Sequence, residues 1–135
     1  MEKEFIPYEL AVKLKTLGFD EPCLASWSYT YELQNYVELN LGYIIDGPKN
    51  YTNAPIYSQA FRWFRDNYRM FHEVFIDTEP TVDEPDKLEF TYLILHMVGM
   101  EKMHTSRNVR FETYEEAELA SLEKLIEIVE QKEIR

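Results

Sequence analysis

The chain has 135 residues, of which 45% are hydrophobic and 15% aromatic, and it carries a formal net charge of -11 at pH 7. This length is typical of one domain, so we expect a single domain over residues 1–135. Because 25 acidic residues outnumber 14 basic ones, the surface repels phosphate backbones and anionic lipids. The charge therefore argues against direct binding to nucleic acid or to a membrane.

The apolar segments are too short to form a membrane helix. The most apolar run, residues 92–100, has nine residues and contains His96, whereas a membrane span needs about 20. The charged N-terminal residues precede no apolar signal segment. The one cysteine, Cys23, cannot form an internal disulfide, which suits a reducing compartment. We therefore predict a cytoplasmic protein.

The first part of the chain predicts one helix and a pair of strands. Apolar residues at helical spacing indicate a helix over residues 7–17, and Gly18 is its expected stop. Alternation of apolar and polar residues over 23–33 predicts a half-buried strand. A tight turn at Gln34-Asn35 is expected to lead into a second strand over residues 36–45.

A second helix and two further strands are predicted in the middle of the chain. Asn53 is the expected helix cap, with Pro55 in the first turn and the helix ending near Tyr68. Strands are expected over residues 70–77 and 87–98, and the connection between them is acidic and contains two prolines.

The C-terminal part predicts a loop, a short strand and a long helix. Residues 99–108 are polar and are expected to form a mobile loop, followed by a short strand over 109–111. Thr113 and Glu116 have the spacing of a capping box, in which the threonine hydroxyl accepts from the glutamate amide. An apolar stripe then predicts a helix that continues to about Lys132.

The predicted order of elements is α-β-β-α-β-β-α. Hairpins that are followed by helices are typical of an antiparallel sheet with its helices on one face. We therefore predict the α+β class, with an antiparallel sheet of about four strands and helices packed on one face.

Three stretches of sequence resemble a known group of proteins. They are residues 5–23, which run from FIPYELA through GFDEPC, then APIYSQAFRWFR at 54–65 and TYEEAE at 113–118. Together they resemble small uncharacterised proteins from prophages and other mobile elements of gut Bacteroidetes. The resemblance implies a bacterial or phage context, and it implies no catalytic residue.

Residues that could carry chemistry are scattered. Cys23 begins a predicted strand, where it is expected to be a small buried residue. The four glycines never cluster into a phosphate-binding loop, and the acidic run over residues 77–86 lacks the ligand spacing of a calcium loop. The histidines also lack a metal-binding spacing. We predict no catalytic residue, no metal and no cofactor, and a structural role for all three histidines: His72, His96 and His104.

The aromatic residues are the main candidates for a binding surface. Seven of the ten tyrosines lie between Tyr29 and Tyr68, and tyrosine combines a large contact area with a polar hydroxyl. The alternative is that these rings pack between the sheet and its helices, and we favour that packing for the strand residues. The predicted binding residues are Trp27, Tyr29, Tyr31, Tyr36, Tyr43, Tyr51 and Trp63.

Three arginines, Arg62, Arg65 and Arg69, share one face of the second predicted helix. We expect them to meet carboxylates of the second half of the chain, either within the fold or across a homodimer.

The sequence favours a phage or mobile-element accessory protein that acts by binding another protein, without catalysis. One alternative is an acidic inhibitor that mimics nucleic acid and blocks a DNA-binding protein. The other is a small enzyme or ligand-binding domain, which would need His72 or His96 to meet carboxylates in a pocket.

Overall fold

A computed structural model describes residues 2–29, 35–39, 52–97, 101–105 and 109–133. These residues form three α-helices and two three-stranded antiparallel sheets, which confirms the predicted α+β class. The predicted single sheet of about four strands is not exact, because the strands divide into two sheets. The chain forms two compact units, residues 1–60 and 61–135, and the boundary falls within the second helix. Whether they make one domain stays a prediction.

The first helix of unit 1, α1 (Tyr8–Thr16), confirms the prediction over residues 7–17. Pro7 precedes it, and its carbonyl accepts from the amides of Leu10 and Ala11. Gly18 follows the end of the helix, and its φ of 105° is a conformation that residues with a Cβ rarely adopt. A short 3-10 helix, Glu2–Glu4, lies before α1.

The sheet of unit 1 has β1 (Ala25–Tyr29) as its central strand. It pairs with β2 (Asn35–Leu39) on one side and with the short β3 (Thr52–Asn53) on the other. The turn predicted at Gln34-Asn35 is wrong, because Asn35 already belongs to β2 and lies opposite Tyr29. The predicted continuation of this strand over residues 40–45 lies outside the described residues.

Both faces of β1 are buried, so the prediction of a half-buried strand is wrong. Ala25 and Trp27 on one face are 0% and 7% exposed, and Ser26 and Ser28 on the other are 2% and 4% exposed. The serine hydroxyls made the second face look solvated in the sequence. Small polar side chains can be buried once their hydrogen bonds are made, and the pattern of residue types does not show whether they are.

The second helix, α2, spans Tyr57–Tyr68. The predicted cap at Asn53 is wrong, because Asn53 lies in β3 opposite Ser26. The carbonyl of Ile56 instead accepts from the amides of Gln59 and Ala60 at the start of the helix. The pairing of β3 with the central strand therefore outweighs the local preference of asparagine for a helix cap.

The sheet of unit 2 contains three strands in the order β4-β5-β6. β4 (Met70–Thr78) and β5 (Glu89–His96) confirm the two strands that were predicted there. β6 (Glu101–Thr105) lies where a mobile loop was predicted, and it pairs with β5. The short strand predicted over 109–111 is a single bridge between Phe111 and Phe90.

The last helix, α3 (Tyr114–Glu133), confirms its prediction and contacts β4 and β5. The hydroxyl of Thr113 accepts from the amide of Glu116 at 3.1 Å, as the capping box requires. The stripe of buried side chains on α3 includes Ala117, Leu122, Leu125, Ile126 and Val129. Within the described ranges, no helix has the length and apolar character needed to cross a bilayer.

Candidate functional site

Trp27, a predicted binding residue, belongs to the core of unit 1. Its side chain is 7% exposed, and the indole Nε1 donates to the carbonyl of Ile6 at 2.9 Å. The ring also makes an edge contact with Tyr8, with centroids 6.3 Å apart. These contacts connect the central strand to the segment that precedes α1.

Trp63 lies on α2 and is 5% exposed. Its ring makes edge contacts with Phe64 and Tyr68, with centroids 5.0 and 5.5 Å apart. Trp63 is one of the predicted binding residues. The structure buries it together with Phe61 and Phe64, so more than one side of α2 is covered.

The five tyrosines among the predicted binding residues are only partly described. Tyr29 ends β1 and Tyr36 lies in β2 opposite Ser28, but their side chains are outside the described part of the chain. Tyr31, Tyr43 and Tyr51 lie outside it entirely. A shared aromatic binding surface therefore stays a prediction, and the structure does not bring its two tryptophans to the surface.

His72 is held in β4 by an aromatic neighbour. Its imidazole stacks on the ring of Phe61, with centroids 3.5 Å apart and planes inclined by 11°. Burial, and secondarily the positive charge of Arg65, lowers the pKa of His72 from 6.5 to about 4. The ring is therefore neutral at physiological pH, and these contacts give it a packing role.

The remaining candidates for chemistry lie at other positions in the two units. His96 ends β5, where it lies opposite Met70, and His104 lies in β6, opposite Ile94. Cys23 is buried in unit 1, and its thiol donates to the carbonyl of Glu21 at 3.4 Å. Among the residues whose positions are described, no three His, Cys, Asp or Glu side chains are grouped so that they could hold a metal ion.

An open cleft of about 580 Å³ lies in unit 2, where the chain enters β5 and α3. Three carboxylate side chains and one lysine line it, and it contains no histidine: the lining residues are Asp86, Lys87, Leu88, Glu89, Glu112 and Thr113. Lys87 is paired with Glu84 at 3.4 Å, which offsets part of its charge. The cleft is therefore predominantly acidic.

One arginine that pairs with a carboxylate is Arg110, which the sequence did not single out. The Nε of Arg110 lies 2.6 Å from a carboxylate oxygen of Asp77, at the C-terminal end of β4. This hydrogen bond, and the charge of Asp77, raise the pKa of Arg110. Of the three predicted basic residues, Arg65 lies close enough to His72 to affect its titration.

Besides the acidic cleft, the edge of unit 2's sheet is a second candidate for interaction. The sequence does not predict it. Among the strands that the structure describes, β4 lies on the outer side of the β4-β5-β6 order, and it has nine residues. Phe71 is 38% exposed on one face and Ile76 is 50% exposed on the other. Apolar residues on both faces are also typical of a strand that is buried on both sides, so the sequence contained no signal that this strand lies at an edge.

The hydrogen-bond pattern shows which residues of β4 face away from the sheet. The amide of Met97 donates to the carbonyl of Arg69, and Phe90 exchanges both of its backbone bonds with Phe111. Backbone bonding alternates along an antiparallel pair, so every second residue of β5 bonds toward β4. The corresponding β4 residues that bond toward β5 are Phe71, Glu73 and Phe75.

The intervening residues of β4 direct their N–H and C=O groups outward. They are His72, Val74 and Ile76, and their side chains lie on the face that carries Phe61 and α3. Beyond Ile76 the pairing with β5 shifts by one residue, which interrupts the regular alternation. We call the outward side of the segment His72–Ile76 the β4 edge.

No known protein family, no curated protein and no solved structure matches this chain.

Proposed function

We propose that this chain is a binding protein that acts without catalysis, and that it holds another protein through the β4 edge. One observation carries the proposal: an outer strand of nine residues leaves apolar side chains exposed on both of its faces. Natural proteins usually protect such edges, because unpaired backbone groups beside apolar side chains are a template for another strand.

The chemistry of the β4 edge fits the addition of an extended segment. Its outward N–H and C=O groups provide backbone hydrogen bonds, which give affinity to a bound strand. Ile76 on one face and Phe71 on the other provide apolar contacts for the side chains of that strand. Each apolar pair between a side chain of β4 and a side chain of the bound strand contributes about 0.2–1 kcal/mol to binding.

Capture from a bacterial lysate by the immobilised protein tests the proposal. Ile76→Lys places a charge on the β4 edge, and we expect it to abolish capture of the partner. Val82→Lys is the matched control, since Val82 is 99% exposed in the connection after β4. If wild type, Ile76→Lys and Val82→Lys capture the same proteins equally, the β4 edge is not the binding site.

The phage or mobile-element context is part of the same proposal. The resemblance of residues 5–23, 54–65 and 113–118 to prophage proteins supports it. The genes beside the coding sequence test it. Neighbouring genes for phage or transfer functions would support this context, whereas metabolic neighbours would contradict it.

The acidic cleft favours a second function, the inhibition of a DNA-binding protein by charge mimicry. Asp86, Glu89 and Glu112 line the cleft, and the neighbouring residues Asp83 and Glu84 are exposed. Carboxylates arranged on a surface can replace phosphates as partners for a basic protein.

Such binding would weaken steeply as the salt concentration rises, because exposed charges are screened. The triple change Asp83→Asn, Glu84→Gln and Asp86→Asn should then abolish the binding of basic DNA-binding proteins, while Ile76→Lys leaves it unchanged. Capture that resists salt, or that survives the triple change, would exclude this function.

A further inference from the structure

We propose that the acidic cleft of unit 2 binds a segment of another protein in which lysine or arginine residues flank a large apolar side chain. The inference does not need the β4 edge. It also goes beyond charge mimicry, because apolar contacts supply part of the affinity and select the partner. Four features of the cleft carry it: its exposed apolar side chains, its rigid walls, its carboxylates and its volume.

Two large apolar side chains stand exposed at the cleft. Leu88 lines it and is 38% exposed. Tyr114 directly follows Thr113, another lining residue, and is 43% exposed. We call Leu88 and Tyr114 the apolar rim. Apolar side chains that stay exposed at a concave surface with polar neighbours are typical of an interaction site.

The walls of the cleft are fixed before any partner binds. Phe90 and Phe111 exchange two backbone hydrogen bonds of 2.8 Å, which join the segment that enters β5 to the segment that enters α3. The ring of Phe90 also makes an edge contact with the ring of Tyr114, with centroids 6.0 Å apart. Because these contacts already hold the apolar rim in place, little conformational freedom is lost when a partner binds.

Three carboxylates give the cleft its charge. Asp86, Glu89 and Glu112 line it, and in the part of the chain that the structure describes none of the three forms an ion pair. They also belong to no group of three side chains, among those described, that could hold one metal ion. Carboxylates that are spread along a cleft fit separate ammonium or guanidinium groups, such as those of several lysine or arginine side chains.

The basic residues beside the cleft have carboxylate partners of their own. Lys87 pairs with Glu84 at 3.4 Å, and Arg110 pairs with Asp77 at 2.6 Å. These pairs offset the charges of the two basic side chains, so the lining carboxylates keep an excess of negative charge. A basic partner complements that excess.

The apolar rim distinguishes a protein segment from other basic ligands. A free polyamine would match the charge of the cleft but would leave Leu88 and Tyr114 largely exposed to water. A leucine or phenylalanine between two basic residues covers the apolar rim and places charges on both sides of it. The volume of about 580 Å³ is sufficient for a few side chains, because it lies within the range of about 300–1,000 Å³ of ligand pockets.

Fluorescence anisotropy with short labelled peptides tests the chemistry of the partner. The first peptide has lysines on both sides of a leucine, the second has serine in place of the leucine, and the third has glutamates in place of the lysines. We expect the first to bind the full chain, the second to bind about five- to tenfold more weakly and the third not to bind. Equal affinity of the first two peptides, or no binding of the first, would overturn the proposal.

A change in the apolar rim tests where the leucine of the peptide binds. Leu88→Ser should weaken binding of the leucine peptide about fivefold and leave the affinity of the serine peptide unchanged. Met97→Ser is the matched control, because Met97 is 37% exposed and follows the other end of β5. Circular dichroism checks that both variants are folded. Equal losses in the two variants, or a loss that is the same for both peptides, would contradict the site.

A pair of charge changes tests the role of the carboxylates. Glu89→Gln with Glu112→Gln should weaken binding of the leucine peptide about tenfold at low ionic strength. Glu123→Gln with Glu127→Gln is the control, since it removes the same net charge from α3, beginning about 15 Å along the chain axis from Thr113. If both double variants bind equally weakly, the net charge of the chain attracts the peptide, and the proposal is wrong.

Spermidine is the competitor that represents a free polyamine. We expect it to displace the leucine peptide only at a much higher concentration than an unlabelled copy of the peptide. If spermidine binds as tightly as the leucine peptide, and equally well to wild type and Leu88→Ser, the cleft takes a polyamine and the proposal is overturned.

This inference and the functions proposed above fail in different experiments. A leucine peptide that does not bind disproves the inference, and the β4 edge is still tested by the lysate capture with Ile76→Lys. Binding that requires the lysines but not the leucine also disproves it, and leaves charge mimicry as the function of the cleft.

Discussion

The imidazole of His72 stacks on the phenyl ring of Phe61, with centroids 3.5 Å apart. The contact places a titratable ring from β4 against an apolar ring from α2 within unit 2. Because burial and the charge of Arg65 both disfavour the protonated form, His72 remains neutral until the pH falls to about 4. In the unfolded chain the same ring takes up a proton as the pH falls through its ordinary pKa of 6.5.

This difference in pKa predicts a loss of stability in mild acid. The contribution of His72 is fully present above pH 6.5, and it is lost as the pH falls toward 4, because the unfolded chain then binds a proton that the folded chain does not. The loss over that window is on the order of 2–3 kcal/mol. Urea unfolding at pH 7.0, 5.5 and 4.5 measures it.

His72→Phe is the variant that isolates the effect. It keeps an aromatic ring against Phe61 but cannot bind a proton. We expect its stability to fall less between pH 7 and pH 4.5 than that of the wild type, since the carboxylates are common to both proteins. The same pH dependence in the two proteins would show that His72 does not titrate in this way.

A second prediction concerns the buried indole of Trp27. Trp27→Phe removes the hydrogen bond to the carbonyl of Ile6 and leaves that buried oxygen without its donor. The free energy of unfolding should fall by about 1–3 kcal/mol, with a further loss from the smaller ring. Urea unfolding provides the measurement. Val12→Ala, at a position on α1 that is 37% exposed, is the control and should change stability by no more than about 0.5 kcal/mol.

The end of α1 allows a test of backbone conformation alone. A Cβ added at Gly18 would meet no atom within 4 Å, so Gly18→Ala introduces no steric clash. The φ of 105° is nevertheless strained for alanine, and we expect a loss of about 1 kcal/mol. Gly18→Asn should lose less, since asparagine adopts positive φ more readily. Thermal unfolding of the three proteins checks the order, and an alanine variant as stable as the wild type would contradict it.

The cap of α3 should contribute a measurable part of the stability of unit 2. Thr113→Ala removes the acceptor of the Glu116 amide and should cost about 1 kcal/mol. Thr113→Ser keeps a hydroxyl at the same position, so its loss of stability should be only a few tenths of that of Thr113→Ala. Since Thr113 is exposed, little packing is lost in either variant. Equal losses in the two variants would mean that the hydroxyl is not the cause.

The elements that were predicted correctly are those with strong local signals. The helix α3 has a capping box and an apolar stripe, and α1 has a proline at its start and a glycine at its end. Errors occurred where pairing between strands competed with a local signal. Asn53 has the preferences of a helix cap but lies in β3, and the polar residues Glu101–Thr105 looked like a loop but form β6.

The interaction site could be predicted only in part. The aromatic residues were easy to list from the sequence, yet Trp27 and Trp63 are buried, and their type alone could not show this. The β4 edge was missed because its significance depends on which strand lies at the side of the sheet. Phe71 and Ile76 look like core residues until the order β4-β5-β6 is known.

The sequence by itself determined the α+β class, the net negative charge and most of the helix and strand positions, because these depend on composition and on the spacing of neighbours along the chain. The tertiary structure decided that the strands divide into two sheets, that His72 stacks on Phe61 and that β4 lies at an edge. The reason is physical: strand pairing and ring stacking join residues that are far apart in sequence. Their free energy depends on the arrangement of the whole unit, which no local pattern contains.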